Sequence, residues 1–347
     1  MVMKTLILKV NPNRPALSKI RLAAKLLEEG KLVAFPTETV YGLGANAFDE
    51  RAVKKIFEAK GRPLDNPIIV HIYSIEQLYE IAKKVPKRAL MLAKSFWPGP
   101  LTMILRKKAC IPDAVTAGLD TIAIRMPSHK VARLLCKEAK LPIAAPSANL
   151  SGRPSPTNAK HVIEDFKGKI ACIIDGGNTN IGLESTVVDL TAKRATLLRP
   201  GGITAEQLSK VLSELKVHEV ARADKNARVA KSPGTKYRHY APKAKLILVE
   251  GAKEKAIEKA TELAKRFAEK KKVALLILAS KKKPRLKGVI VKRLYQKSSI
   301  AKRLFALLRE LDSKNVDIII VNAIDEKELG LAIMNRLRRA SSERLKV

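Results

Sequence analysis

The sequence predicts an α/β protein of two domains, a mixed one followed by a regular parallel one. Three observations point there. At 347 residues the chain exceeds one small domain, for which ~150 residues is usual. Hydrophobic residues are 46 % and charged ones 29 %, a balance that suits packed cores and excludes disordered or fibrous classes. Short apolar runs alternate with amphipathic stretches over most of the chain.

In the first part, Leu17, Ile20, Ala24 and Leu27 recur at helical spacing ahead of Gly30, a natural helix stop. The run Leu32-Val-Ala-Phe35 reads as a buried strand ending at Pro36. Further strands are expected at 68–72, 122–124, 143–145, 171–174 and 186–188, and helices at 50–60, 75–94, 129–140 and 203–215. The stretch 217–243 has no sustained apolar period. Its segment Ser232-Pro-Gly-Thr-Lys-Tyr-Arg-His-Tyr-Ala-Pro242 is too rich in aromatic and basic residues for a featureless linker.

Beyond it the pattern is regular. Strands at 246–249, 273–279, 288–291 and 317–322 alternate with helices whose apolar faces carry Ile257 to Phe267, Ile300 to Leu311, and 327–340. Such alternation predicts a parallel, doubly wound sheet.

Several classes fall away. The run Val273–Ser280 is far short of the ~20 residues that cross a bilayer. Lys9 and Arg14 interrupt any signal-peptide core. Cysteines 110, 136 and 172 form no Cys-x-x-Cys pair, so neither a disulfide framework nor a zinc ribbon is expected, and a cytoplasmic location is.

Charge is the outlying property. There are 68 Lys and Arg against 33 Asp and Glu, a net charge of +35, which calls for an anionic partner. Residues 213–347 hold +20 of it, and from Lys270 to Arg309 fourteen basic residues stand without an acidic one. That run reads either as a solvated face or as a surface for RNA or an acidic partner.

Generic chemistry motifs are missing. The chain has no Gly-x-x-x-x-Gly-Lys-Ser/Thr, no third glycine after Gly42-Leu-Gly44, no His-x-x-x-His pair and no Gly-x-Ser-x-Gly. Six polar loops beside apolar strands carry the candidate chemistry instead. Phe35-Pro-Thr-Glu-Thr-Val-Tyr-Gly-Leu-Gly44 offers two hydroxyls and a tight glycine turn; Lys60-Gly-Arg-Pro-Leu-Asp-Asn-Pro67 offers a cation clamp for phosphates. Arg125 closes an apolar strand and is expected to meet an anion such as a carboxylate. Ala144-Ala-Pro-Ser-Ala-Asn149, Asp175-Gly-Gly with Glu184-Ser-Thr186, and Leu198-Arg-Pro-Gly-Gly202 complete the set. Ligands of open α/β sheets sit beyond strand ends, so the loops are expected to converge there on one pocket.

Together these segments, with Trp97-Pro-Gly-Pro-Leu-Thr102 and His239-Tyr-x-Pro, resemble the YrdC-type threonylcarbamoyl-AMP synthase family in its long form. The resemblance implies a YrdC-like mixed twisted-sheet catalytic domain over 1–212, a linker or active-site lid over 213–243, and a Rossmann-like parallel α/β C-terminal domain over 244–347. It implies that L-threonine, bicarbonate and ATP become L-threonylcarbamoyl-AMP and pyrophosphate, the first step of N6-threonylcarbamoyladenosine formation in tRNA. A separate transfer complex would use the product.

Carried over by residue, Lys60, Arg62, Ser147 and Asn149 would surround the ATP phosphates as the catalytic group, with Asn66, Ser155 and Arg199 completing the nucleotide site. Thr39 and His71 would hold the threonine hydroxyl, Arg125 its carboxylate, and Ser185 would assist. Thr121 and the Ala145 backbone would line the join between the substrates. Lys236, Tyr237 and Tyr240 would fold over the pocket, the two tyrosines counted with the nucleotide site. Mg²⁺ would arrive with ATP, and no metal ligand is assigned. Two other readings compete. A carbamoyltransferase-type protein would carry Cys-x-x-Cys zinc modules, which this chain lacks. An RNA-binding factor would suit the charge but not the aromatic content of 4 %.

Overall fold

Two sheets organise the chain in a computed structural model that describes residues 4–223, 239–281 and 284–347. It divides into two units, Met1–Ser151 with Ser155–Tyr237, and Gly152–Pro154 with Arg238–Val347.

The first unit runs β1 (Leu6–Lys9), α1 (Leu17–Glu28), β2 (Val33–Phe35), β3 (Gly42–Asn46), α2 (Glu50–Lys60), β4 (Ile69–His71), α3 (Ile75–Ile81) and α4 (Lys87–Phe96). It continues through β5 (Leu101–Arg106), α5 (Asp113–Thr116), β6 (Thr121–Arg125), α6 (Lys130–Ala139), β7 (Ile143–Ala144) and α7 (Ala159–Phe166). The strands β8 (Cys172–Asp175), β9 (Thr186–Asp189) and β10 (Ala195–Arg199), helix α8 (Ala205–Ser209) and β11 (Leu215–Val217) complete it. Eleven strands form one mixed sheet in the order β1-β8-β2-β3-β7-β4-β6-β5-β9-β10-β11.

Local chemistry explains the helix limits. The Asp49 carboxylate caps α2 by accepting from the amides of Arg51 and Ala52, and Gly61 ends it at φ 58°. Ile20, Ala24 and Leu27 of α1 pack with Leu135 and Cys136 of α6 against Val33, Phe35 and Ile174 of the sheet. Burying each such aliphatic side chain contributes roughly 1.5–3 kcal/mol.

Four local expectations change. The helix expected over 75–94 is two, α3 and α4, because Pro86 lacks the amide that a continuous helix needs. The helix expected over 203–215 is only Ala205–Ser209, and Leu215–Val217 pairs in parallel with β10. The first unit's sheet thus extends into the stretch expected to be linker, and Glu219–Arg222 adds a 3₁₀ turn. Gly42 and Gly44 form no tight turn. They lie in β3, antiparallel to β2 and β7. A Cβ on Gly44 would meet Ile143 Cγ2 and Phe35 Cε1 at 2.8 Å each, so the glycines admit neighbouring side chains rather than reverse the chain.

The second unit contains β12 (Lys245–Glu250), α9 (Lys253–Ala268), β13 (Val273–Leu278), β14 (Val289–Leu294), α10 (Lys297–Ser313), β15 (Ile318–Asn322), α11 (Leu329–Ala340) and β16 (Glu343–Lys346). All pairings are parallel, in the order β14-β13-β15-β12-β16. Ala256, Ala260, Leu263 and Ala264 of α9 cover Ile247, Val249, Leu275 and Ile320. The alternate residues Leu246, Leu248, Leu276 and Ile319 face the other way and are buried too. A strand covered on both faces reads as the unbroken apolar run Val273–Leu278. Among the described residues no helix is long and apolar enough to cross a membrane.

Candidate active site

Strands β4 and β6 lie parallel, pairing Ile69 with Ala123 and His71 with Arg125. That register puts His71 and Arg125 at one end, and the loop ending in Asn66 and Pro67 beside Thr121 at the other. Thr121 and Arg125 are four residue steps apart along the strand, about 13 Å at ~3.3 Å per residue. Between them Ile69, Ile104, Ala123, Val187 and Leu198 form a small apolar cluster. The segment 37–44 meets both ends: Thr39 bonds Arg125, while Tyr41 O accepts from the Ala148 amide and Gly42 pairs with Ser147.

At the first end, the guanidinium of Arg125 donates from Nη1 to the Thr39 hydroxyl at 2.8 Å and from Nε to Gly99 O at 3.3 Å. Its Nη2 lies 2.7 Å from Glu38 Oε1, and both side chains are buried. The Thr37 hydroxyl donates to Val40 O at 2.6 Å and lies 2.8 Å from that of Thr39. One hydroxyl proton each makes Thr39 the donor of that pair. Burial alone would push the Glu38 carboxyl up, but the charge and hydrogen bonding of Arg125 outweigh it and hold it below the ordinary value. Burial, with Arg125 adding to it, drives His71 down to about 3. His71 is thus a neutral imidazole, and its buried Nδ1 makes no hydrogen bond among the described residues. Next to this end, the Ser185 hydroxyl lies 2.7 Å from that of Thr102 and accepts from Arg199 Nη2 at 3.1 Å.

At the second end, Lys60 closes α2 and its ammonium donates to Ser147 O at 2.6 Å and Asn149 O at 2.5 Å. The Ser147 hydroxyl donates to Asn149 Oδ1 at 2.5 Å. Arg62 Nη2 donates to Asn66 O and Pro67 O, each at 3.0 Å. Ala145 lies between the ends, its amide bound to Ile69 O at 2.8 Å. Ser155 donates its hydroxyl to Glu184 Oε1 at 2.5 Å inside the protein.

The structure therefore brings Lys60, Ser147 and Asn149 together, Arg62 with Asn66, Thr39 and His71 with Arg125, and Ser185 with Arg199. Tyr240 lies in the second unit, stacked on Phe305 at 5.2 Å with the Arg336 guanidinium 5.5 Å from its ring centre. Lys236 and Tyr237 lie outside the described residues. Reading the sequence missed Glu38 as a site residue, while Thr37 was one of the two hydroxyls it offered and Glu184 stood in a candidate loop without a role. The signal for Glu38 was a carboxylate set between two threonines at a buried strand's end, which normally marks an exposed turn.

Comparison with known proteins follows this geometry. A family model described as Telomere recombination matches residues 25–201, and one described as Threonylcarbamoyl-AMP synthase, C-terminal domain, matches 203–342. A threonylcarbamoyl-AMP synthase of Pyrococcus abyssi is 54 % identical over 330 residues, covering 94 % of this chain and 95 % of its own. The chain belongs to the threonylcarbamoyl-AMP synthase family. The Bacillus subtilis member is 48 % identical over 94 % of both chains. The crystal structure of P. abyssi Sua5 complexed with L-threonine superposes with a TM-score of 0.92 at 54 % identity, covering 99 % of this chain and all of that one. As a threonylcarbamoyl-AMP synthase family member the chain is a transferase enzyme, and both of its expected sheets match that structure.

Proposed function

We propose that this synthase joins L-threonine, bicarbonate and ATP into L-threonylcarbamoyl-AMP with release of pyrophosphate, the first step of N6-threonylcarbamoyladenosine formation in tRNA. The observation that carries the reading is the pair of unlike polar ends on β4 and β6. One presents a buried guanidinium, a threonine hydroxyl and a neutral imidazole. The other presents two cations held against main-chain carbonyls. An amino acid with a hydroxyl suits the first and a triphosphate the second.

In this reading Arg125 receives the substrate carboxylate, and Thr39 with neutral His71 receives its hydroxyl. Lys60, Arg62, Ser147 and Asn149 receive the phosphates, with Asn66, Thr121, Ser155 and Arg199 fixing the nucleotide. Threonine's amine first becomes a carbamate. A carbamate oxygen then attacks the α-phosphorus and pyrophosphate leaves in line. The protein supplies alignment and positive charge rather than a nucleophile. Mg²⁺ enters with the ATP phosphates. Among the described residues no three His, Cys, Asp or Glu are arranged to hold a metal. The acyl adenylate then goes to a separate enzyme that transfers the threonylcarbamoyl group to tRNA.

The test is pyrophosphate release from ATP with threonine and bicarbonate each omitted in turn. A requirement for both is expected. Release indifferent to threonine overturns the reading.

A further inference from the structure

The first unit's sheet has an open edge beside an apolar cleft. Strand β1 ends the sheet and pairs only with β8. The amides of Leu6 and Val10 donate to Ala171 O and Asp175 O, so by strand alternation the main-chain groups of Ile7 and Lys9 point outward. Lys19 Nζ covers one of them by donating to Lys9 O at 2.8 Å. On that outer side nothing pairs with the Ile7 amide or carbonyl among the described residues. An open edge of this kind is a template for another strand.

The open end of β1 borders the cleft. Leu6 shares a face with Leu8, which packs in the core beside α1. On that face a cleft of about 840 Å³ is walled by Leu6, by Leu22 and Leu26 of α1, and by Leu32 and Ile170. Leu6 and Leu22 are 38 % and 44 % exposed. The cleft is therefore an apolar surface with no cover among the described residues.

Charge decides what suits it. Lys4, Lys31, Lys55 and Lys169 stand round the cleft against one carboxylate, Glu58. Lys55 donates to Gly30 O at 2.8 Å, and Lys31 lies 2.7 Å from Glu29. Lys4 and Lys169 have no partner among the described residues. A second copy would bring the same lysines, and a net charge of +35, against their own kind. RNA would meet leucines where it needs rings, because no aromatic side chain lines the cleft.

We propose that β1 and this cleft dock an extended acidic segment of another protein. The segment adds a strand outside β1, lays apolar side chains on Leu6 and Leu22, and sets carboxylates against Lys4 and Lys169. Main-chain bonds to Ile7 hold it, while the cleft and the lysines select its sequence.

The probe is a fluorescein-labelled peptide of about seven residues, within the usual strand length, with a Val-Thr-Val centre and glutamates at both ends. Fluorescence anisotropy should show saturable binding of one peptide per chain. Leu22→Glu, a change at an exposed position, should weaken it ~10-fold or more. The same peptide with lysines at its ends should not bind. Absence of saturable binding, equal binding of the lysine peptide, or indifference to Leu22→Glu overturns the proposal. Hydrogen exchange in the unaltered protein needs no variant. Bound peptide should slow exchange of the Ile7 amide ~10-fold or more, and unchanged exchange overturns the strand addition. Two further outcomes also overturn the proposal. A sedimenting dimer that Leu22→Glu disperses assigns the face to a second copy. A polyuridylate strand that displaces the peptide equally from the unaltered and Leu22→Glu proteins assigns it to RNA.

Discussion

Lys60 donates its ammonium to the carbonyl oxygens of Ser147 and Asn149, at 2.6 Å and 2.5 Å. These two bonds fix the ammonium at the end of α2 and anchor the loop after β7 to it.

Lys60→Met should remove both effects. The expected loss is ~10²-fold or more in kcat/KM for ATP, the scale seen when one donor to a developing anion is lost. Threonine binding measured without ATP should stay within a few-fold of the unaltered protein. Calorimetric titration of each substrate checks the split.

Arg62→Ala and Arg125→Ala should separate in the same way. Arg62, held by Asn66 O and Pro67 O, should mainly impair ATP use, and Arg125 mainly threonine binding. Equal effects of both changes on both substrates in steady-state kinetics would show the two ends to be wrongly assigned.

Arg125 also carries a stability prediction. Arg125→Met leaves Glu38 buried without its counter-charge, which costs ~3–5 kcal/mol. The double change with Glu38→Gln removes that penalty and should recover most of the lost Tm. Thermal unfolding of the single and double variants at pH 7 decides it.

His71 makes the protein acid-sensitive. Its folded value, about 3, lies below the ordinary 6.5, so between those values the unfolded chain binds the proton and the folded chain does not. Stability from this group is present above the ordinary value and is lost as pH falls toward 3, by at most about 1.4 kcal/mol per pH unit. The lowered Glu38 carboxyl adds a loss below the ordinary 4.5. Denaturant unfolding of His71→Gln should show a flatter profile between pH 6.5 and 4.5 than the unaltered protein.

Gly201 tests the loop that follows β10. A Cβ there would meet Glu184 O at 2.3 Å and Thr186 N at 2.4 Å, main-chain atoms that cannot step aside. Gly201→Ala should displace Glu184 and Ser185, destabilise by ~1–3 kcal/mol, and lower use of both substrates. Tm and pyrophosphate release measure the two effects.

Much of this was legible in the sequence where one residue type carries the signal. An Arg ending an apolar strand can be read as an anion site, and Arg125 meets Glu38 there. The second unit was readable almost throughout because buried parallel strands are unbroken apolar runs. Other features depend on tertiary pairing. Gly42 and Gly44 look like a turn until Phe35 and Ile143 are known to fill the space above them. Glu38 looks like a solvated residue until Arg125, remote in sequence, is brought beside it. Pro86 was a plain local signal, hidden by the apolar periodicity on either side.

The two ends of the site are spaced by strand register, and register changes only in steps of two residues if side chains are to keep their face. Sliding β6 along β4 by one such step would move Arg125 by about 7 Å, far more than one methylene of substrate. The sheet is thus a ruler with coarse graduations. A descendant of this chain that accepted a longer or shorter amino acid would have to do so by changing the reach of its side chains, leaving the backbone scale untouched.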